Sequence, residues 1–134
     1  MTTLLRSPLE IDTAPPLDTT PEQAWLDAAH AIGARLCRDA FWHDDRCNWV
    51  GATMEPVEGQ WQVTVRSLGA DVYAGTSGVG LFLARLAAAT GEPVFRRTAA
   101  GALRHAAARL DDQPTLAANI GAYSGGLGVA LALL

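Results

Sequence analysis

Two stretches of this chain, YAGTSGVG at residues 73–80 and YSGGLGVA at residues 123–130, share a Tyr-x-Gly-x-x-Gly frame. Each opens a run of Leu, Ala and Val, and the two lie 50 positions apart. A unit that returns at such a period stacks on its neighbours, because no single copy buries its apolar face alone. Glycine at fixed places allows a tight turn or a close approach of backbone. Tyr73, Gly75, Gly78 and Tyr123, Gly125, Gly128 therefore read as a structural turn used twice. On this reading Gly75 and Gly125 adopt matching conformations ahead of two roughly parallel helices. The Tyr rings are expected to pack while their hydroxyls reach backbone partners.

Ligand loops with similar glycines do not fit. Gly75, Gly78 and Gly80 run G-x-x-G-x-G, the reverse of the dinucleotide fingerprint. A phosphate loop needs Gly-Lys-Ser/Thr, and the chain has no Lys. Two residues beyond Ser77 stands Val79 rather than the Gly of a nucleophile elbow. In the second copy Thr76 and Ser77 become Gly126 and Leu127, so the recurring frame carries no reactive group beyond a Tyr hydroxyl.

The sequence around the two turns is helical. SGVGLFLARLAAATG is apolar on most sides, which predicts a helix buried all round that stops at Gly91. Next, Phe95, Ala99, Ala102, Leu103, Ala106 and Leu110 share one helical face while Arg96, Arg97, Arg104 and Arg109 fall elsewhere. Pro114 and Gly121 break the chain, and a second apolar helix starts near Gly126. Buried and half-buried helices in alternation predict an inner and an outer layer over residues 73–134.

The first half differs. Residues 1–19, with three Pro and Asp/Thr clusters, predict a flexible arm that leans on the surface through Leu4, Leu5 and Ile11. Thr20 as N-cap, Pro21 in the first turn and Gln23 completing a capping box predict a helix over 20–41. Its apolar stripe is Trp25, Ala28, Ala29, Ile32 and Leu36. Trp61, Val63 and Val65 alternate with polar residues, which predicts one small hairpin over about 48–66 with one buried face.

With 134 residues, 49% hydrophobic, the chain is sized for one globular domain. Ten Arg against fourteen acids leave a net charge of −4, so no nucleic-acid or anionic-lipid footprint is present. The apolar runs are too short to span a membrane, and no secretory signal is recognisable, so a cytoplasmic location is expected. Cys37, His43 and Cys47, near Asp44 and Asp45, use zinc-compatible types but lack the close Cys pair of structural sites. No metal and no cofactor are expected here. His30 and His105 read as surface or half-buried residues, and Asp111 and Asp112 as loop residues.

DVYAGTSGVGLFLARLAAATGEPVFRRTA at 71–99, YSGGLGVALALL at 123–134 and, more weakly, CNWVG at 47–51 resemble the lanthionine synthetase C-like family. The resemblance implies a partial α/α toroid, with inner and outer helix layers, so the expected fold is all-α with one small hairpin. It also implies an activity for a complete member: adding Cys thiols of a dehydrated precursor peptide to dehydroalanine or dehydrobutyrine, forming thioethers. In such members a zinc ion held by two Cys and one His activates the thiol. That ligand set includes a Cys-His-Gly stretch, and this sequence contains no Cys-His dipeptide. Cys37 and Cys47 precede the first glycine turn and do not match the family's ligand positions.

The chain is accordingly expected to be the amino-terminal part of such a protein, inactive alone, with a peptide as partner. A non-catalytic scaffold that binds a peptide or protein is the alternative. A glycosidase of α/α-barrel type ranks last, since only Asp71 stands near the turns. The final helix, ending LALL, is short and apolar, and the expectation is self-association through it.

Overall fold

A computed structural model describes residues 20–134. The arm expected over 1–19 lies outside the described residues.

Helix α1, Pro21–Asp39, begins where its cap chemistry predicts. The Thr20 side chain accepts a hydrogen bond from the Gln23 amide at 3.3 Å. Only half of the capping box forms, because the Gln23 side chain donates forward to Asp27 at 2.8 Å. The apolar stripe is also displaced. Trp25 and Ile32 face outward, and the packing face is Leu26, Ala29, Gly33, Leu36 and Cys37. Gly33 decides this rotation: a Cβ there would overlap Leu86 and stand 3.1 Å from the Phe95 ring. The absent side chain lets α1 sit directly on the core.

The helix stops two residues before its expected end, and the chain turns into two hairpins rather than one. Strands β1, Phe41–His43, and β2, Arg46–Asn48, pair antiparallel around Asp44 and Asp45. Strands β3, Val50–Val57, and β4, Gln60–Ser67, pair from Val50↔Ser67 to Val57↔Gln60. Glu58 and Gly59, both with positive φ, close this second hairpin with the twist that two-residue turns favour.

Helix α2, Thr76–Thr90, ends at the left-handed Gly91, and α3 runs Pro93–Asp112. A short α4, Pro114–Ala118, precedes α5, Gly126–Ala132. The core joins Leu83, Leu86 and Ala87 of α2 to Phe95, Ala99 and Ala102 of α3, with Cys47 and Trp49 beneath. Neither α2 nor α5 is covered all round: Ala84, Arg85, Ala88 and Ala89 are exposed on α2, and Leu127 and Leu131 on α5.

The all-α, partial-toroid expectation is therefore corrected. Strand makes up 21% of the structure beside 57% helix, and two antiparallel hairpins lie between α1 and α2. The hairpin missed in the sequence is held by tertiary contact. The Trp42 ring fills the notch at Gly101 on α3, and Arg97 lies over it at 4.9 Å. Three-residue strands with a charged tip carry too little period to show this.

The two glycine turns share their geometry. Gly75 has φ −127° and ψ −174°, and Gly125 has −126° and 179°, extended values open to any residue. The Thr76 amide donates to the Gly69 carbonyl at 2.9 Å, and the Gly126 amide to Asn119 at 2.8 Å. Space, not φ, demands glycine at the next shared place of the frame. A Cβ on Gly78 would overlap the Val72 carbonyl, and one on Gly128 the Ala122 carbonyl. The turns also join each other, since the Tyr123 carbonyl accepts from the amides of Val72 and Tyr73 at 3.0 and 2.9 Å.

Candidate functional site

Tyr73 and Tyr123 do not pack as expected. Both rings are exposed, at 83% and 72%, and it is the Tyr123 backbone that bonds across. Asp71 shapes the first turn, its carboxylate accepting from the Ala74 amide at 2.7 Å. Behind the turn opens a groove of about 420 Å³. It is lined by Tyr73, Ala74 and Gly75 of the turn, by Gly78, Val79 and Phe82 of α2, and by Leu36 and Leu68. It presents mostly apolar side chains, a surface suited to an apolar segment of peptide. Its residues come from α1, the residue that follows β4, the turn and α2, so only the part at the turn was visible in the sequence.

A polar cluster lies on the other side of α2, and sequence reasoning missed it. Asn48 follows the buried Cys47, Thr76 is the first residue of α2, and His105 is mid-helix on α3. The Asn48 amide nitrogen donates to the Leu68 carbonyl and to His105 Nε2, both at 3.1 Å. Its oxygen accepts from the Trp49 amide at 2.7 Å, which fixes the amide's orientation. His105 Nε2 must then be an acceptor, so the proton sits on Nδ1, 3.0 Å from the Thr76 hydroxyl. The arrangement resembles a base beside a nucleophile, yet Thr76 is fully buried and Nε2 is engaged. It is a tie between three segments, with no reactive hydroxyl facing solvent.

Burial lowers the His105 pKa below its usual 6.5, with Arg109 and Arg46 adding to the effect. Protonation would also set an Nε2–H against the Asn48 NH2. A histidine with a depressed folded pKa stabilises fully above its unfolded value and loses that stability as pH falls below it. Urea unfolding is thus expected to show stability dropping from about pH 6.5 downward, with a shallower slope in His105→Phe. An unchanged slope would mean that other groups govern the acid side.

The cysteines lean on successive turns of α3. The Cys47 thiol donates to the Thr98 carbonyl at 3.3 Å, and Cys37 to the Val94 carbonyl at 3.9 Å. His43 stands at the exposed tip of the first hairpin beside Asp44. Burial, and then the nearby Cys37, push the Cys47 thiol up to about 11. Zinc ligation requires thiolate and a free imidazole nitrogen. Here both thiols donate to carbonyls and Cys47 is held protonated, so Cys37 and Cys47 do not offer the thiolate pair that zinc would need. Among the described residues no three His, Cys, Asp or Glu gather as a metal site.

A raised thiol pKa stabilises fully below the unfolded value and is lost as pH climbs through the folded one. Stability is expected to fall between pH 9 and about 11, with that step absent in Cys47→Ala. At pH 8 iodoacetamide is expected to label Cys37 well before Cys47 in the native chain, and equal labelling would contradict the buried, protonated thiol.

Residues 66–134, just over half of the chain, match the family model described as lanthionine synthetase C-like protein. The segment begins at the end of β4 and takes in both glycine turns and the helices between them. Comparison with curated proteins and with solved structures returns no match. Among the described residues no helix is long and apolar enough to cross a membrane.

Proposed function

Because the chain belongs to the lanthionine synthetase C-like family, we propose that it holds a peptide substrate for thioether ring formation and does not itself close the ring. One observation carries this reading: the open apolar groove built on the first glycine turn, within the family-matched segment apart from Leu36. In a complete member the reaction would add a peptide Cys thiol across dehydrated Ser or Thr, forming a C–S bond and protonating the neighbouring carbon. The residues of this chain contribute orientation and dryness. Phe82 and Val79 shield one side of a bound segment. Among the described residues lining the groove there is no Cys, His, Asp or Glu to activate a thiol. That same observation favours a second reading, a non-catalytic scaffold for a peptide or protein.

The test uses a fluorescent peptide carrying one Cys and one dehydroalanine, followed by anisotropy and by counting free thiols. Binding is expected without loss of thiol. Tyr73→Ala and Ala74→Glu change exposed residues of the groove, so the fold persists while affinity falls at least about tenfold, or ~1.4 kcal/mol. Equal binding of a peptide lacking the dehydro residue favours the scaffold. Absent binding, or binding indifferent to both substitutions, removes the groove as the site.

A further inference from the structure

The second hairpin is inside out. In its register Ala52 faces Val65, Met54 faces Val63 and Pro56 faces Trp61, all on one side of the two strands. Every one of these residues except Ala52 and Pro56 is a large apolar group more than half exposed, Trp61 at 70%. The opposite side carries Thr53, Glu55, Thr64 and Arg66, tied by the Thr64–Glu55 hydrogen bond at 3.1 Å and the Arg66–Glu55 ion pair. It is this polar side that is half-buried along β3. The expectation that Trp61, Val63 and Val65 form a buried face is therefore wrong for the described chain: nothing among residues 20–134 covers them. A lone two-stranded hairpin is marginal in water, and its apolar side needs a cover.

We propose that a second copy of this chain supplies the cover, the two hairpins packing apolar face to apolar face about a two-fold axis. Charge permits it. No charged residue stands on the face, so a copy meets its own image without repulsion, and a two-fold contact needs a self-complementary patch. Area supports it as well. At the base of the hairpin Val50 shares a groove of about 430 Å³ with Ile32 and Phe41, and Arg35 and Asp39 on its rim pair with each other at 3.5 Å. Together the hairpin face and this base expose on the order of 700 Å² of apolar surface, more than the patch a typical monomer leaves bare. Two copies would bury roughly 1,400 Å², within the range of stable specific interfaces. Two such faces stack like the sheets of a sandwich, about 10 Å apart. The strand residues of the face, Met54, Trp61, Val63 and Val65, line neither groove, whereas the groove at the base shares Leu36 and Leu68 with that of the glycine turn, so pairing is tested by substitutions on the strands alone.

Sedimentation velocity on the full 134-residue chain tests this, with acrylamide quenching of Trp61 taken as the difference between the wild type and Trp61→Phe. The expected result is a dimer that dissociates on dilution, little affected by salt, with Trp61 shielded only in the dimer. Val63→Arg and Met54→Lys place charges on the face and are expected to weaken the dimer by about 30-fold or more. Gln62→Arg, on the other side of the same strand, leaves it intact. Circular dichroism verifies that each variant keeps its helices. Three results overturn the proposal. One is a monomer at every concentration with Trp61 open to quencher. Another is a monomer whose Trp61 is shielded until residues 1–19 are deleted, which makes the cover intramolecular. The third is a dimer that survives Val63→Arg and Met54→Lys but is lost in Leu131→Arg, which moves the contact to α5.

Discussion

Phe95→Ala is expected to lower the unfolding free energy by about 3–5 kcal/mol, the largest loss of any single truncation in this chain. Phe95 is completely buried, and two other helices close on its ring. Leu83 and Leu86 pack from α2, the bare backbone of Gly33 from α1, and His30 stands edge-on at 5.2 Å and 80°. Truncation removes the transfer energy of the ring and leaves a cavity that α1 cannot close, since its approach is already limited by backbone contact at Gly33. A small domain holds only about 5–15 kcal/mol in all, so the variant sits near its unfolding threshold at room temperature. Urea unfolding followed by circular dichroism measures the loss. Because Leu36 on α1 forms one side of the glycine-turn groove, peptide affinity is expected to fall in parallel. A loss under about 1 kcal/mol would mean that α1 is held chiefly by the Trp49 Nε1 bond to the Leu36 carbonyl at 2.8 Å.

Gly128→Ala carries the second large effect, and its sign is informative. Inside an ordinary helix, Gly to Ala gains roughly 0.5–1 kcal/mol. Here the added Cβ would overlap the Ala122 carbonyl of the turn that launches α5, and Val72 stands 3.1 Å away on another side. A carbonyl in a hydrogen-bonded turn cannot swing aside like the end of a side chain, so a loss of about 3 kcal/mol is expected. Gly78→Ala meets the Val72 carbonyl in the same way. The turns share the Tyr123 carbonyl as acceptor, so a shift in one is transmitted to the other and the double variant should be non-additive. Thermal unfolding of both singles and the double decides it. A stabilised Gly128→Ala would show that the turn relaxes freely and that its glycine is not a steric requirement.

The local units could be read from the chain's own chemistry. Thr20 and Pro21 start α1 where they stand, and Gly91 ends α2. The face of α3 with Phe95, Ala99, Ala102 and Ala106 is buried as its period demands. The frame shared by Gly75–Gly78 and Gly125–Gly128 carried enough of the family's pattern to be recognised without coordinates. These features depend on contacts within a few residues, where chain chemistry acts alone.

Which surfaces meet depends on the packed molecule. Trp25 and Ile32 made the more apolar stripe of α1, yet the helix turns Gly33 to the core, because a missing side chain permits a contact that an added one forbids. The first hairpin exists because Trp42 finds a notch on a helix some sixty residues later. Asn48, Thr76 and His105 say nothing singly, and their tie appears only when three distant segments converge. Period 2 in β4 foretold a strand with one apolar side, but burial needs a partner, and none of residues 20–134 supplies it. Periodicity is a property of one segment, whereas burial belongs to a pair of surfaces, and the second surface is not written in the first.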